Sequence, residues 1–461
     1  MHFFVLGIGG TLMSSVAILL RELGHQVSGC DQHLYEPVKS LLEHERIAVV
    51  SGYAAAQLPE ADCYVVGNVV SRGNPMVERI LREKRSFISA PECLHREILN
   101  QRQVIAVSGT HGKTSITALV AEILRQSGMD PGWLIGGVPQ SDMRPAHLGT
   151  GPFVIEADEY DTAFFDKSAK FLHYRPDILL VNNLEFDHAD IYADEAAIRQ
   201  QFHRWIRILP DNAQVVVPNG SGAIEQLLQL GFWSQLHRLN HPGQGQTKPD
   251  AEADQWALEE TSAGAFNLMH QGQKLSASSD AIASRYAGYV RENLLAALTL
   301  SVLAGADPTS AFQAATHFQG VKRRFERILD LEQVSIYDDF AHHPTAISAC
   351  LKGARAQLEP DQKLLAVVDL ASNTMAAGYH TQYLTQVAAL ADSVFWYGKS
   401  ASETAEFCGG QAFLEVAQLQ EAIVTYLRRS SGRCVVVLFS NSHFSGLTQT
   451  LPEAAGRVLS A

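Results

Sequence analysis

The sequence has no cysteine pair at metal-binding or redox spacing, no basic block and no apolar run of membrane-spanning length, and each absence removes a class of function. Its six cysteines, Cys30, Cys63, Cys93, Cys350, Cys408 and Cys434, are scattered singly, without CxxC spacing and without histidines at ligand spacing. They read as reduced thiols, which argues against a disulfide framework or a zinc site. The 49 acidic residues outnumber the 36 Lys and Arg residues, and the formal net charge of -13 is spread along the chain. A nucleic-acid or anionic-membrane surface therefore lacks electrostatic support, and any anionic substrate must be held by local sites. Residues 2–6 open directly as an apolar run, with no basic leader or small-residue cleavage site before them. The expectation is a cytoplasmic protein.

What is present is a long, well-packed chain. Its 461 residues are 46% hydrophobic and 18% charged, which fits a soluble enzyme of two to four domains, with three as the working number. Short apolar runs alternate with helical patterns throughout, predicting α/β architecture with mostly parallel sheets. Strands are expected at 3–6, 26–29 and 63–67 with a helix over 12–23, and a new unit begins near 99–102. Further strands are expected at 104–107, 153–155 and 178–181. In the helix after the first of these, Ile116, Leu119, Val120, Ile123 and Leu124 form one apolar stripe, and Gly128 and Pro131 mark its end. The stretch 241–254 reads as an exposed polar loop, and a helix follows at 294–303. Residues 320–325 read as a hinge into a third sheet with strands at 335–337, 364–368, 394–397 and 435–439.

The chemistry concentrates at strand ends. Gly109, Thr110, His111, Gly112, Lys113, Thr114 and Ser115 lie between a strand and a helix, a loop whose N–H groups cradle phosphate while Lys113 reaches the β/γ-phosphates and the Thr114 hydroxyl meets Mg²⁺. It departs from the standard pattern in having Val107 at the first-glycine position. The runs Glu156-Ala157-Asp158-Glu159-Tyr160-Asp161 and Asp187-His188-Ala189-Asp190 follow apolar strands, where hard oxygen ligands for Mg²⁺ are needed. Such clusters are usually solvated acidic loops; two beside a phosphate loop favour the metal reading. Gly7, Gly9 and Gly10 form a second strand-to-helix turn, with Asp31 placed to meet a ribose hydroxyl. Because Leu12 stands where a dinucleotide fingerprint needs its third glycine, a nucleotide-sugar phosphate fits this turn better than a nicotinamide. Arg323-Arg324 and the run Asp338-Asp339-Phe340-Ala341-His342-His343-Pro344 could close over a nucleotide, although an arginine pair and paired histidines are each commonplace alone.

In order, Gly-Thr-His-Gly-Lys-Thr (109–114), Glu-Ala-Asp-Glu (156–159), Asn-Asn-Leu-Glu-Phe-Asp-His (182–188), Lys-Arg-Arg-Phe (322–325) and Asp-Asp-Phe-Ala-His-His-Pro-Thr (338–345) together resemble the Mur ligases over nearly the whole chain. Segments 71–75, 159–161, 164–167 and 372–375 resemble the branch that adds a preformed peptide, not the branch that adds a single alanine.

The resemblance implies an N-terminal Rossmann-like UDP-binding domain (1–100), a central P-loop ATPase domain (101–320) and a C-terminal Rossmann-like domain that brings the amine (321–461). It implies ATP and Mg²⁺ as cofactors, and UDP-N-acetylmuramate and the murein tripeptide L-alanyl-γ-D-glutamyl-meso-diaminopimelate as substrates. The alternative is the biosynthetic ligation of L-alanine. Carried over by position, Lys113, Glu156 and His188 are catalytic, with Thr114, Glu156 and His188 on the metal. Asn293, Arg324 and Asp339 join the phosphate loop at ATP; Gly7, Gly9, Gly10, Asp31, Asn68 and Asn74 serve the UDP-sugar; His342, His343, Ser372, Asn373 and Asn441 serve the amine substrate. The chain departs from the family pattern at Tyr289-Val290, where His-Asn is expected, at Leu370-Ala371, where Pro-Arg is expected, and in the loop 440–446. A folylpolyglutamate-type ligase would share the ATPase, but the N-terminal UDP-type domain argues against it.

Overall fold

The computed structural model of the chain describes residues 1–187, 191–241, 253–278, 288–376, 378–430, 432–442 and 444–459, and the side chains of Asn373, Val458 and Leu459 lie outside that description. The chain forms two compact units, Met1–Phe186 with Asp194–Asp280 and Asn293–Gln319, and Asp187–Ala193 with Ala281–Glu292 and Gly320–Ala461.

The first unit begins with strands β1 (His2–Leu6), β2 (Gln26–Asp31), β3 (Ala48–Ser51), β4 (Cys63–Val66) and β5 (Phe87–Ser89). They form a parallel sheet in the order β3-β2-β1-β4-β5. The central strands are apolar on both faces because helices cover both, and Phe3, Phe4, Val5 and Leu6 are all buried. Helices α1 (Thr11–Glu22), α2 (Val38–His44) and α3 (Pro75–Arg82) lie between strands, and α4 (Ala90–Glu97) follows β5. The start of α3 is set locally: Pro75 sits at the first position and the Asn74 side chain accepts the N–H groups of Met76 and Val77.

The same unit continues through β6 (Val104–Ser108), helix α5 (Lys113–Gln126), β7 (Gly132–Leu134), β8 (Ala146–His147) and β9 (Phe153–Glu156). A separate antiparallel hairpin, β10 (Asp161–Ala163) and β11 (Asp166–Ala169), comes next. Strands β12 (Ile178–Val181), β13 (Gln214–Pro218), β14 (Gln235–Asn240), β15 (Asp254–Glu260), β16 (Phe266–His270) and β17 (Gln273–Ala277) complete the larger sheet. Its order is β17-β16-β15-β14-β13-β12-β6-β9-β7-β8, parallel from β15 across to β7 and antiparallel at both margins. The stripe expected on α5 is buried, with Ile116, Val120, Ile123 and Leu124 at 0% exposure. The polar stretch 241–254 lies outside the described residues at 242–252, and its last residue, Asp254, already begins β15.

The second unit is a six-stranded sheet of β18 (Glu326–Asp330), β19 (Val334–Asp339), β20 (Lys363–Asp369), β21 (Ser393–Tyr397), β22 (Gln411–Phe413) and β23 (Cys434–Phe439). The order is β18-β19-β23-β20-β21-β22, parallel except for β18. One apolar layer under each face, around Trp396 and Leu351 on one side and Ile423 and Phe395 on the other, makes it a doubly covered α/β sheet. The α/β expectation and every strand read from the sequence thus find counterparts.

Candidate functional site

The loop between β6 and α5 is built so that only glycine fits twice. Gly109 (φ 133°) and Gly112 (φ 86°) occupy left-handed backbone, and a Cβ at Gly112 would lie 2.9 Å from Asn182 Nδ2 and 3.0 Å from Asn293 Oδ1. Two asparagines after β12 brace the turn. The His111 N–H donates to Asn183 Oδ1 (2.7 Å), and both Asn182 and Asn183 amides donate back to the His111 carbonyl. This amide pair was absent from the residues singled out in the sequence, although it sits in one of the motifs; neutral side chains after an apolar strand carry little signal. Asn293 is buried against the turn itself.

Lys113 projects from the first turn of α5, with Nζ 2.7 Å from the Gly109 carbonyl and 3.0 Å from Glu159 Oε2, and Asp158 3.9 Å away. Burial opposes its charge, but the carboxylates of Glu159, Asp158 and Glu156 outweigh that cost and hold its pKa above the ordinary lysine value. Asp158 also accepts Lys170 Nζ at 3.0 Å. Thr114 Oγ1 donates to Glu156 Oε1 (3.1 Å), whose other oxygen accepts the Gly136 N–H at 2.8 Å. A hydroxyl and a carboxylate oxygen at that separation fit a divalent cation, since neighbouring ligands at about 2.1 Å in an octahedral Mg²⁺ shell stand about 3 Å apart. The third expected ligand, His188, lies outside the described residues. Ser115 follows on α5, half-buried, and Thr110 Oγ1 accepts the Glu185 N–H at 3.0 Å.

At the N-terminal turn, Gly7 (φ 81°) donates its N–H to the Cys30 carbonyl, Gly9 donates to Asp31 Oδ2 (2.8 Å), and Gly10 opens α1. A Cβ at Gly9 would come within 2.9 Å of Asp31 Oδ2, so carboxylate and glycine are fitted to one another. Asn68, in the loop after β4, donates to Asp161 Oδ1 at 2.8 Å. Asn74 is the α3 cap described above, its oxygen already shared by two N–H groups.

In the second unit Asp339 is buried and accepts the N–H groups of Phe325 (2.7 Å) and Ala341 (2.8 Å); burial pushes its pKa up against the pull of Arg324. The Arg323 and Arg324 guanidinium groups both lie over the Phe340 ring. Arg323 also donates to the Ser440 and Ser442 carbonyls, each at 2.6 Å, and pairs with Asp338, whose pKa burial raises to about 6. His342 Nε2 lies 3.7 Å from Asp187 Oδ2, and Asp187 accepts the Thr374 hydroxyl. His343 caps the helix Pro344–Arg355 and meets the His380 ring edge-on at 4.4 Å. Ser372 accepts the Met375 N–H ahead of the short helix Asn373–Ala376, and Asn441 is half-buried after β23.

Among the described residues no helix is long and apolar enough to cross a membrane. Three family models match the chain in sequence: the Mur ligase family catalytic domain over residues 2–102, the Mur ligase middle domain over 107–301 and the Mur ligase glutamate ligase domain over 323–442. The UDP-N-acetylmuramate--L-alanyl-gamma-D-glutamyl-meso-2,6-diaminoheptandioate ligase of Escherichia coli K12 is 37% identical, with 99% of each chain covered. A UDP-N-acetylmuramate--L-alanine ligase from Desulforapulum autotrophicum is 31% identical, over 79% of this chain and 76% of its own. The crystal structure of a murein peptide ligase from Psychrobacter arcticus 273-4 superimposes with a TM-score of 0.72 at 35% identity, covering 99% of both chains. With all three regions matched and a relative more than one third identical along the full length, the chain belongs to the Mur ligase family.

Proposed function

We propose that the chain is an ATP-dependent ligase joining the carboxylate of UDP-N-acetylmuramate to the amine of L-alanyl-γ-D-glutamyl-meso-diaminopimelate, in the cytoplasm, for the recycling of cell-wall peptide. The observation that carries the reaction type is the α5 terminus, where Lys113 and Thr114 emerge from a glycine turn into a ring of Glu156, Asp158 and Glu159. The full-length likeness to a ligase of that name supports the substrate pair. In this reading segments 1–100, 101–320 and 321–461 take the UDP-sugar, the ATP and the amine respectively.

The residues present suggest how the chain divides the work. The turn N–H groups and the α5 dipole receive the ATP phosphates, and Lys113 exchanges its contact with Glu159 for the β/γ-phosphate oxygens. A Mg²⁺ held by Thr114 and Glu156, with His188 as the further expected ligand, would offset phosphate charge. Lys113 then stabilises charge on the γ-phosphoryl as it passes to the lactyl carboxylate, releasing ADP and leaving an acyl phosphate. The neutral peptide amine attacks that carbonyl, the carbon–phosphate oxygen bond breaks, and phosphate and a proton leave as the amide forms. Gly7, Gly9, Gly10 and Asn68 are assigned to the UDP-sugar, and Arg324 with Asp339 to the nucleotide. His342, His343, Ser372, Asn373 and Asn441 are assigned to the amine substrate.

The test is a competition. Tripeptide and free L-alanine are offered together with UDP-N-acetylmuramate, ATP and Mg²⁺, and the products are weighed by mass spectrometry. The tripeptide adduct should dominate, because remote contacts orient a long charged acceptor and a lone alanine forfeits them. Dominant UDP-N-acetylmuramoyl-alanine would establish the alternative, biosynthetic reading, and no ligation with either acceptor would remove both.

A further inference from the structure

Residues 159–161 and 164–167 are among the segments that distinguish this chain's branch, yet the chemistry above uses neither Asp161 nor the two phenylalanines. They belong to the β10–β11 hairpin, which stands apart from the large sheet. At its tip Phe164 and Phe165 meet edge to face (5.0 Å), Phe165 meets Phe87 of β5 in the same way (5.0 Å), and Phe164 packs against the buried cluster of Phe4, Leu6, Tyr64 and Val66. At its base, Asp161 Oδ1 accepts the Asn68 amide at 2.8 Å while Oδ2 takes Lys167. Two residues before Asp161 is Glu159, the partner of Lys113. Two residues after Asn68 is Val70, whose Cγ2 lies 3.2 Å from where a Cβ on Gly7 would stand. One residue before Asn68, Gly67 donates its N–H to the carbonyl of Leu6, the neighbour of Gly7, at 3.0 Å, so bonds and two short chain segments link the lysine of one glycine turn to the backbone of the other.

The two kinds of contact in the hairpin do different things. Aromatic packing adheres without fixing direction, whereas an amide-to-carboxylate bond is directional and sets register. We propose that Asp161, through Asn68, is a positioning residue that holds the N-terminal glycine turn in fixed register with Lys113, so that the sugar-nucleotide carboxylate meets the γ-phosphoryl in line. This rests on the ligase reading above. A second attachment within the same unit keeps the parts joined when the bond is removed: Arg144 pairs with Glu22 of α1 and with Glu45, and Glu22 also accepts the Leu148 N–H at 2.7 Å. Loss of Asp161 should loosen register without separating the sheets.

The experiment compares the full-length protein with Asp161→Ala, Asp161→Asn, Asn68→Asp and the exchanged pair Asn68→Asp with Asp161→Asn. For Asp161→Ala, kcat should fall on the order of 10- to 100-fold, as a misplacement near 1 Å costs, while ATP and UDP-N-acetylmuramate each bind within about twofold of the parent in separate titrations. Hydrogen exchange should quicken at residues 7–10 and 67–70. Asp161→Asn keeps an acceptor and should stay near parental activity. Asn68→Asp opposes two carboxylates and should be the poorest, and at saturating UDP-N-acetylmuramate the exchange should restore kcat in part, with the KM for that substrate left raised by the change at Asn68. An unchanged kcat in Asp161→Ala, a loss confined to UDP-sugar affinity, or no recovery in the exchanged pair would each overturn the proposal. If the parent itself ligates nothing, the ligase reading falls, and hydrogen exchange alone decides the register claim: unaltered exchange at 7–10 in Asp161→Ala refutes it.

Discussion

The first unit contains two turns of one design, strand, glycines and helix N-terminus, and they differ in what braces them. At the N-terminal turn the brace is a carboxylate: Asp31 accepts the Gly9 N–H, and residues 7–14 contain no cation. At the central turn the brace is neutral, the Asn182 and Asn183 amides, and the helix opens on Lys113 and Thr114. A carboxylate a few ångströms from a phosphate is repulsive at low local dielectric, so the first turn suits a ligand that presents hydroxyls to Asp31 and keeps its phosphates on the turn's N–H groups away from that carboxylate. The second turn, with amides for a brace, leaves its positive end for a triphosphate. The acidic residues near it face Lys113 and the proposed metal position, where a cation separates them from phosphate.

The sharpest way to break that contrast is to remove the cation. Lys113→Ala should lower the ligation rate on the order of 10²-fold or more, as loss of one preorganised charge does, while UDP-N-acetylmuramate binding by titration stays intact. Collapsed sugar-nucleotide binding with surviving ATP turnover would reverse the assignment of the two turns. Next in size is Glu156→Gln, which keeps the shape but removes the charge beside Thr114. The Mg²⁺ concentration for half-maximal rate should rise by more than the roughly tenfold that loss of an outer partner costs. An unchanged Mg²⁺ titration would take Glu156 out of the metal shell. A smaller effect is expected from Gly112→Ala, where left-handed backbone costs about 1–2 kcal/mol in addition to contact with Asn182 and Asn293. It should lower the unfolding midpoint, and Asn182→Ala should recover little, because the backbone strain remains.

Much of this architecture was legible in the sequence because buried parallel strands are apolar on both faces and announce themselves as runs, as residues 104–107, 178–181 and 435–439 do. The grouping of Lys113 and Thr114 with Glu156 was legible for a related reason, since a glycine turn that joins an apolar run to a helix opening on Lys-Thr has the phosphate-loop pattern, and Glu156 directly follows the neighbouring run 153–155. What escaped was mostly polar or short. Asn182 and Asn183 carry no charge, and their role depends on a turn some seventy residues earlier in the chain. The hairpin of β10 and β11 is short, carries charges at its ends and has no alternation to mark it as strands. Asn74 was read toward a ligand from resemblance, yet Pro75 and Glu78 after it spell out a helix start. His188 lies outside the described residues.

The finest test of the contrast concerns Gly9, because its backbone is not left-handed and only space excludes a side chain. A Cβ there would sit 2.9 Å from Asp31 Oδ2 and 3.1 Å from the His33 carbonyl, so Gly9→Ala should cost about 1–3 kcal/mol as an overpacking substitution. Asp31→Ala alone loses a bond from an N–H to a charged acceptor, about 1.5–3 kcal/mol by the usual range, less where water reaches the site. The double substitution removes both the clash and the bond, so its cost should fall well short of the sum. That shortfall, about 1 kcal/mol or more, is the coupling expected of residues in direct contact. The central turn should show a smaller shortfall between Gly112→Ala and Asn182→Ala, because the left-handed backbone strain and the contact with Asn293 remain when Asn182 is truncated. Unfolding midpoints of the four variants in each cycle, with their pairwise sums, decide the matter. Additive costs at Gly9 and Asp31 would mean that the turn shifts to admit the methyl group, so that carboxylate and glycine are not fitted to one another.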